Sequence, residues 1–259
     1  MNISQLDDLS SWFDSYVEPF LATDEEGAKN IRLKIEHTRK VCETMTLLSA
    51  GEDLSENESR IASAVALLHD IGRFSQYRRW RTFRDSDSDN HARLAIEVIR
   101  DHHLLAGLGR AEQLLIEEAI RFHNLLRPPT RFSSPTGQYI ELIRDADKID
   151  IWRVFGDQLA LPPEQRASAA TLGLEDLPET VSNRCIETLN SGAIIPLDTV
   201  SCLNDFKLLL VSWVYDLTRS TSRRILHESG YIRVLAASLP ERADIREAVS
   251  KALESIAIE

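Results

Sequence analysis

The segment "AVALLHDIGRFSQYRRWRTF", residues 64–83, begins as an apolar helix and then places His69 and Asp70 side by side. Only basic residues carry charge in the stretch that follows, with arginines at positions 73, 78, 79, 81 and 84. Burying an unpaired polar or ionised group costs free energy. The end of this apolar helix therefore needs something that binds His69 and Asp70.

The rest of the chain has the pattern of a helical protein. Apolar residues recur at intervals of three and four through most of its 259 residues, and only 10 glycines and 9 prolines interrupt them. This periodicity predicts an all-α fold without strands. The predicted helices cover about residues 4–21, 26–50, 56–70, 90–105, 109–125, 135–159, 178–190, 198–228 and 241–257.

Neither a repeat nor a shift in composition divides the chain. We therefore expect a single all-helical domain over residues 1–259, in which helices from about 178 to 259 form a C-terminal extension. The apolar segment "DFKLLLVSWVYDL", residues 205–217, could close the core or form the face of a homodimer. We favour the core.

Charge and composition exclude several classes of function. The chain has 30 Lys and Arg against 41 Asp and Glu, a net charge of -11, so duplex nucleic acid is not expected as a main partner. No apolar run is long enough to span a membrane, and the N-terminus lacks the pattern of a signal peptide. Three widely spaced cysteines with apolar neighbours are typical of reduced core thiols. We expect a cytoplasmic protein.

Histidines and one aspartate fall on apolar helix faces. Residues three or four apart share a face of a helix. By this rule four of the seven histidines lie in line with buried positions of four different helices, and so does Asp147 in "YIELIRDADKIDIW", residues 139–152. These histidines are His37, His69, His91 and His123.

A metal ion explains these five positions better than a polar core does. A single inward histidine is usually hydrogen-bonded to a carbonyl or carboxylate. Burying several imidazoles and carboxylates without compensation is costly, whereas a metal converts them into ligands. No cysteine lies nearby, which argues against a structural thiolate site. The pattern predicts a divalent ion with nitrogen and oxygen ligands, such as Mn, Mg, Fe, Ni or Zn.

The order His37, His69-Asp70 and Asp147 resembles the HD superfamily of metal-dependent phosphohydrolases, named for its adjacent histidine and aspartate. The segments "LLHDIGRF" and "IRDADKIDIW" carry this resemblance, which covers about residues 31–155. It implies an HD-domain helical bundle with its core at about 31–155. It also implies that His37, His69, Asp70 and Asp147 bind one metal ion.

His91 and His123 resemble the two additional histidines of binuclear HD enzymes such as the HD-GYP phosphodiesterases. On this resemblance Asp70 bridges two ions, and His91 and His123 hold the second. No Gly-Tyr-Pro follows the HD pair, and Arg73 stands where that class has a lysine. The resemblance therefore does not extend to specificity for cyclic dinucleotides.

The expected activity is hydrolysis of a phosphate mono- or diester of a nucleotide or another small molecule, with metal-activated water as the nucleophile and Asp70 beside the ions. Arg73 and Lys148 are the predicted catalytic and phosphate-binding side chains. Arg78 and Arg79 are further candidates for substrate binding. Alternatively, the arginine segment is a surface loop that pairs with the acids of "DSDSDN", residues 85–90.

Several polar neighbours have weaker assignments. Glu36, and either Asp145 or Asp150, are candidates for orienting ligand imidazoles, although a solvated helix face is favoured for Asp145. Asn124 could add a hydrogen bond near the second metal or cap a helix. His102, with the histidine after it, is expected at a helix C-terminus.

Two other functions fit the same residues less well. A regulatory protein could bind a nucleotide without turnover, but it would be free to lose ligands that are all present here. Metal-dependent oxygenase chemistry on the same fold would need iron and an apolar substrate pocket, and the arginine segment argues against it.

Overall fold

The computed structural model describes residues 1–129 and 135–257, and all regular secondary structure in these ranges is helical. The all-α prediction is confirmed. Contacts divide the chain into two compact units, Met1–Asp150 and Ile151–Glu259. The single domain expected over residues 1–259 stays a prediction. The predicted break between the helices at 109–125 and 135–159 includes residues 130–134, which lie outside the described residues.

The helices that build the first unit are α1 (Ile3–Val17), α2 (Glu25–Gly51), α3 (Glu56–Leu68), α4 (Gly72–Trp80), α5 (His91–Asp101) and α6 (Arg110–Phe122), and the division between the units falls within α7 (Thr136–Ala160). Side chains cap the N-termini of four of them, including α1, where the Asn2 side chain accepts a hydrogen bond from the backbone amide of Gln5. Asp24, Ser55 and Asn90 each accept a hydrogen bond from the backbone amide three residues later. These caps fix where α2, α3 and α5 begin.

Helix α3 brings the HD pair into the core. From Ile61 to Leu68 all but one of its residues are buried, and its neighbours include α1, α2 and α6. The small side chains of Ala62, Ala64 and Ala66 let the surrounding helices approach closely. His69 and Asp70 follow at the end of α3, and both are at most 3% exposed.

The arginine segment is a helix through Trp80 and not a loop, which corrects the predicted assignment. Phe74 and Tyr77, three residues apart, are buried and anchor α4. Arg78 and Arg79 lie in its last turn, where positive charge complements the helix dipole. Arg81, in the left-handed conformation at φ 58°, ends it.

The second unit contains shorter helices: α8 (Ser168–Thr171), α9 (Asn183–Asn190), α10 (Leu203–Ser212), α11 (Ser220–Ser229), α12 (Tyr231–Ala237) and α13 (Ala243–Glu254). Helix α13 packs against α9 and α10, and α10 also packs against α12. Every residue of α10 is buried, so this part of "DFKLLLVSWVYDL" belongs to the core of the second unit. The homodimer stays a prediction.

The predicted helix over 198–228 is wrong, because the structure breaks it twice. The Asp205 carboxylate accepts hydrogen bonds from the backbone amides of Ser182 and Ser201, and α10 starts only at Leu203. A 3₁₀ turn, Trp213–Asp216, then separates α10 from α11. Residues 217–219, between this turn and α11, are not helical.

The other predicted boundaries need smaller corrections. The helix expected from 178 begins at Asn183, because Asn204 binds the carbonyls of Leu177, Pro178 and Thr180 and holds them in a loop. Helix α12 is additional. None of the helices within the described ranges is long and apolar enough to cross a membrane.

Gly72, the first residue of α4, lies where this helix packs against α5. A Cβ atom on Gly72 would overlap the carbonyl oxygen of His91 and the backbone nitrogen of Ala95. Backbone cannot move aside as a flexible side chain can. The glycine after the HD pair therefore sets the distance between these two helices.

We predict that Gly72→Ala separates α4 from α5 and destabilises the protein by about 3 kcal/mol or more, as expected for overpacking against backbone. Urea unfolding measures this change. Gly156→Ala, on an uncrowded face of α7, is the matched control and should be neutral or slightly stabilising. Equal effects of the two substitutions would contradict the close crossing.

Candidate metal centre

Four imidazoles from four helices meet in the first unit. His37 lies on α2, His69 and His123 directly follow α3 and α6, and His91 begins α5. All four are at most 4% exposed. Ring centroids are 5.7 Å apart for His37 and His69, 5.2 Å for His69 and His123, and 5.0 Å for His91 and His123. The structure therefore brings together all four histidines predicted from helix faces.

The two predicted aspartates complete this cluster. Oδ2 of Asp70 faces Nε2 of His37 at 3.7 Å and Nε2 of His69 at 3.8 Å. Its other oxygen, Oδ1, lies 3.5 Å from Nε2 of His91. Oδ1 of Asp147 lies 3.1 Å from Nε2 of His37 and 3.8 Å from Nε2 of His69. We call these six residues the His–Asp cluster.

Three overlapping sets of ligand atoms in the cluster could each hold a metal ion, with the atoms of each set within 4.8 Å of one another. Asp70 belongs to two of the sets, one with His37 and His69 and one with His91 and His123. Asp147 belongs to the third, with His69 and His123. Asp70 is thus the carboxylate shared between the two ends of the cluster.

Hydrogen bonds orient every imidazole in the same sense. Nδ1 of His69 donates to the carbonyl of Ala66 (2.7 Å), and Nδ1 of His123 donates to the carbonyl of Ile120 (2.6 Å). Each of these acceptors is three residues earlier, at the end of the preceding helix. A proton held at Nδ1 leaves Nε2 as the free nitrogen of a neutral ring.

Carboxylates serve the other two rings. Nδ1 of His37 contacts Asp150 at 2.7 Å, and Nδ1 of His91 contacts both oxygens of Asp85, at 2.7 and 2.9 Å. Aspartate–histidine pairs of this kind are typical of metal sites, where they fix the ring and raise the basicity of the ligand nitrogen. All four Nε2 atoms consequently face the interior of the cluster.

The free nitrogens lack adequate partners within the protein. Nε2 of His69 is buried and makes no hydrogen bond to the described residues, and the buried Nε2 of His37 has only the carboxylate of Asp147 beside it, at 3.1 Å. Nε2 of His91 and of His123 are 3.1 Å apart. Burial is the main cause that lowers the pKa of His91, and it lowers the pKa of His123 to about 3, so both rings are neutral at pH 7 and their lone pairs repel. Divalent cations held by the three ligand sets would satisfy these nitrogens, and the residues present fit such ions.

Residues 35–152 match the family model of the HD domain. This part of the chain, a little under half of its length, is therefore an HD domain. No curated protein sequence and no solved structure matches the chain. The HD match includes the whole His–Asp cluster, and HD domains bind divalent metals, in agreement with the donor set found here.

Two cations balance the shared carboxylate of the HD domain. Nζ of Lys34 lies 2.8 Å from Oδ2 of Asp70, and Nε of Arg73 lies 3.2 Å from Oδ1. Burial acts to raise the pKa of Asp70, but Lys34 and Arg73 outweigh it and hold that pKa well below its usual range. Asp70 is therefore ionised throughout the physiological range.

Lys34 was not expected from the sequence. It lies on α2 one turn before His37, and its side chain is 16% exposed. Lys34 is three residues before His37 and so shares a helix face with it, which is the only feature of the sequence that indicates a place near the cluster. Residue type alone does not distinguish it from the other lysines of α2.

Asp85 and Gln76 are also functional candidates that sequence reasoning missed. Asp85 begins a 3₁₀ turn and contacts His91, whereas Gln76 on α4 is fully buried and donates to Asp85 at 3.0 Å. The spacing of Gln76 from Asp70, six residues, carries no helical signal because Asp70 follows the end of α3 and Gln76 lies on the next helix, α4.

Arg73, a predicted phosphate-binding residue, is largely occupied by the protein. One terminal nitrogen donates to Gln76 (3.1 Å), the carbonyl of Phe83 (2.6 Å) and Asp85 (3.0 Å). The other lies 3.4 Å from Nε2 of His91. Arg73 lies beside the cluster, and its contacts hold the turn after α4. Its role toward a phosphate stays a prediction.

The remaining predicted substrate residues make other contacts. The Arg78 guanidinium lies 4.0 Å from the ring centre of Phe20, and that of Arg79 lies 4.5 Å from the ring centre of Trp80. Lys148 is buried, and Nζ donates to the carbonyl of Arg144 at 3.4 Å. Their roles toward a substrate stay predictions. Two arginines pair with acids of "DSDSDN": Arg73 with Asp85, and Arg84 with Asp87.

Some of the weaker predictions for polar neighbours of the cluster agree with the structure and others do not. Asp150 orients His37 as proposed, whereas Glu36 is exposed. Asp145 is fully buried, so the prediction that it lies on a solvated face of α7 is wrong. Nδ2 of Asn124 lies 3.4 Å from Oδ2 of Asp85. His102 caps the C-terminus of α5, as expected.

If the cluster binds metal, protein stripped with a chelator should recover divalent ions and melt at a higher temperature with Mn²⁺ than without it. His69→Ala should lose most of the bound metal, measured by elemental analysis. His102→Ala removes a histidine at the end of α5 and is the control. Equal metal content in the two variants would mean that the cluster is a polar core.

Stability of the metal-free protein should depend on pH through His123. Its folded pKa of about 3 lies below the value of about 6.5 for an unfolded chain. The stability from the neutral ring is complete above about pH 6.5 and is lost as the pH falls toward 3, by up to about 1.4 kcal/mol per unit.

Urea unfolding in the presence of chelator, at pH 7 and pH 5, tests this dependence. Wild type should lose more stability between the two pH values than His123→Gln does. A variant that loses as much as wild type would show that His123 is not the group responsible.

Proposed function

We propose that this HD protein is a metal-dependent phosphohydrolase that acts on a nucleotide or another small phosphate ester. The observation that carries the proposal is the position of Asp70, whose two oxygens face two different sets of imidazoles. Such a carboxylate can serve two ions at once. A site with shared ligands suits phosphate hydrolysis because the reaction develops charge on both entering and leaving oxygens.

The ligands divide around Asp70. His37, His69, Asp70 and Asp147 would hold one divalent ion, and Asp70, His91 and His123 would hold the second. When bound, such ions lower the pKa of a coordinated water and neutralise phosphoryl oxygens. Mn, Mg, Fe, Ni and Zn all accept this mixture of nitrogen and oxygen donors.

The protein's own groups prepare the donors. Helix-end carbonyls and two carboxylates hold protons at Nδ1, so that Nε2 of each ring is presented inward. The pKa of His37 is raised, whereas those of His91 and His123 are lowered: burial and Lys34 act to lower the pKa of His37, but Asp147 and Asp150 outweigh them. A metal ion that binds His37 has to displace a proton, so the affinity of this position for metal increases as the pH rises.

Lys34 is the best-placed residue to bind a phosphate. Its ammonium is partly exposed and lies beside the ionised Asp70, whereas most donors of Arg73 are engaged. Asp147 is the most open of the predicted ligands, at 22% exposure, which indicates that the cluster is approached from its side. We assign Arg73 a supporting contact to phosphate, and Lys148, Arg78 and Arg79 remain candidates for binding the rest of the substrate.

The experiment that tests this function is a screen of phosphomonoesters, phosphodiesters and nucleoside triphosphates with Mn²⁺, Mg²⁺, Ni²⁺ and Co²⁺. We expect metal-dependent release of phosphate or a monoester from at least one class, abolished in Asp70→Asn. Tight nucleotide binding without turnover would instead support a regulatory protein. Turnover that persists in Asp70→Asn would contradict the proposal.

Lys34→Met keeps the aliphatic stem and removes the charge. We expect at least a tenfold rise in the Michaelis constant for the best substrate, because a hydrogen bond between charged groups is lost. Lys40→Met on the same helix, where an exposed lysine pairs with Glu43, is the control. A Michaelis constant no different from that control would remove Lys34 from phosphate binding.

A further inference from the structure

His91 is held differently from the other three imidazoles. Nδ1 of His69 and of His123 bind carbonyls of their own helices, and Nδ1 of His37 binds a carboxylate on α7. His91 depends instead on Asp85, which lies in the short connection between α4 and α5. One end of the cluster therefore relies on a connection rather than on helix backbone.

Asp85 is itself held from several sides. Its Oδ1 accepts hydrogen bonds from Gln76 (3.0 Å) and from Arg73 (3.0 Å). Asn124, the residue after His123, lies 3.4 Å from its Oδ2. The carboxylate is about one-third exposed, but its position is fixed by groups from α4 and from the end of α6.

Gln76 ties down the whole connection. Its side-chain amide donates not only to Asp85 but also to Oγ of Ser88 (2.9 Å) and to the carbonyl of Asp89 (2.8 Å). Arg73 adds a hydrogen bond to the carbonyl of Phe83. A fully buried glutamine with four polar contacts is costly to replace, and its contacts all serve the residues that precede His91.

We propose that Asp85, held by Gln76 and Arg73, is a positioning residue that orients His91 and strengthens binding of the second metal ion by Asp70, His91 and His123. This inference rests on the proposed two-metal centre. Asp85 acts on one end of the cluster, and Asp150 on His37 is its counterpart at the other end. Loss of a carboxylate that orients a ligand imidazole typically weakens metal binding 10- to 100-fold.

The test is calorimetric titration of chelator-stripped protein with Mn²⁺ alone. Wild type should bind two equivalents. Asp85→Asn should bind one of them about 10- to 100-fold more weakly and the other unchanged. Asp87→Asn is the matched control, because Asp87 is in the same 3₁₀ turn but is exposed and pairs with Arg84. It should bind both equivalents as wild type does.

Asp85→Glu keeps the charge and an acceptor for Nδ1, and should recover part of the affinity, which a residue important only for folding would not do. Unfolding in chelator shows whether each variant folds. If Asp85→Asn does not fold, titration of Asp85→Glu and Gln76→Leu with Mn²⁺ replaces it. Both variants should bind the same one of the two equivalents more weakly than wild type.

Two equivalents bound normally by Asp85→Asn, or equal weakening of both, would overturn the inference. Fewer than two equivalents in wild type would overturn it together with the two-metal centre. Two equivalents without hydrolysis of any phosphate ester would overturn the proposed function and leave the positioning role of Asp85 standing.

Discussion

The buried carboxylate of Asp70 is the group on which the rest of the first unit depends. It lies at the end of α3, among three imidazoles and two cations, and its ionised form is stabilised by Lys34 and Arg73. An ionised group at this depth would be strongly unfavourable alone. The surrounding helices therefore place a positive charge beside each of its oxygens: Lys34 on α2 contacts Oδ2, and Arg73 in the first turn of α4 contacts Oδ1.

Helix ends supply most of the geometry. His69 and His123 each follow a helix and donate to a carbonyl in its last turn, so that one hydrogen bond both ends the helix and fixes the tautomer. The crossing of α4 and α5 at Gly72 brings His91 to the same place. For His69 and His123, the end of a helix and the orientation of a ligand are thus two results of the same backbone contact, whereas carboxylates orient His37 and His91.

Sequence periodicity could predict much of this arrangement, because it reports which side of a helix is buried. His37, His69, His91, His123 and Asp147 were found in this way, and the structure places them together with Asp70. Lys34 and Asp85 could not be found so: a partly exposed lysine resembles any other, and a connection has no periodicity. Helix α4 was missed because its arginines obscure the short apolar pair of Phe74 and Tyr77. The fully buried Asp145 shows the reverse error, a charged residue assigned to solvent by its type alone.

The most direct measurement of the central claim is anomalous scattering at the manganese edge from crystals grown with Mn²⁺. If Asp70 is shared between two ions, the anomalous map shows two peaks next to it, one bounded by His37, His69 and Asp147 and the other by His91 and His123. No peak within the cluster, or a single peak that leaves His91 and His123 without a metal, would contradict the account.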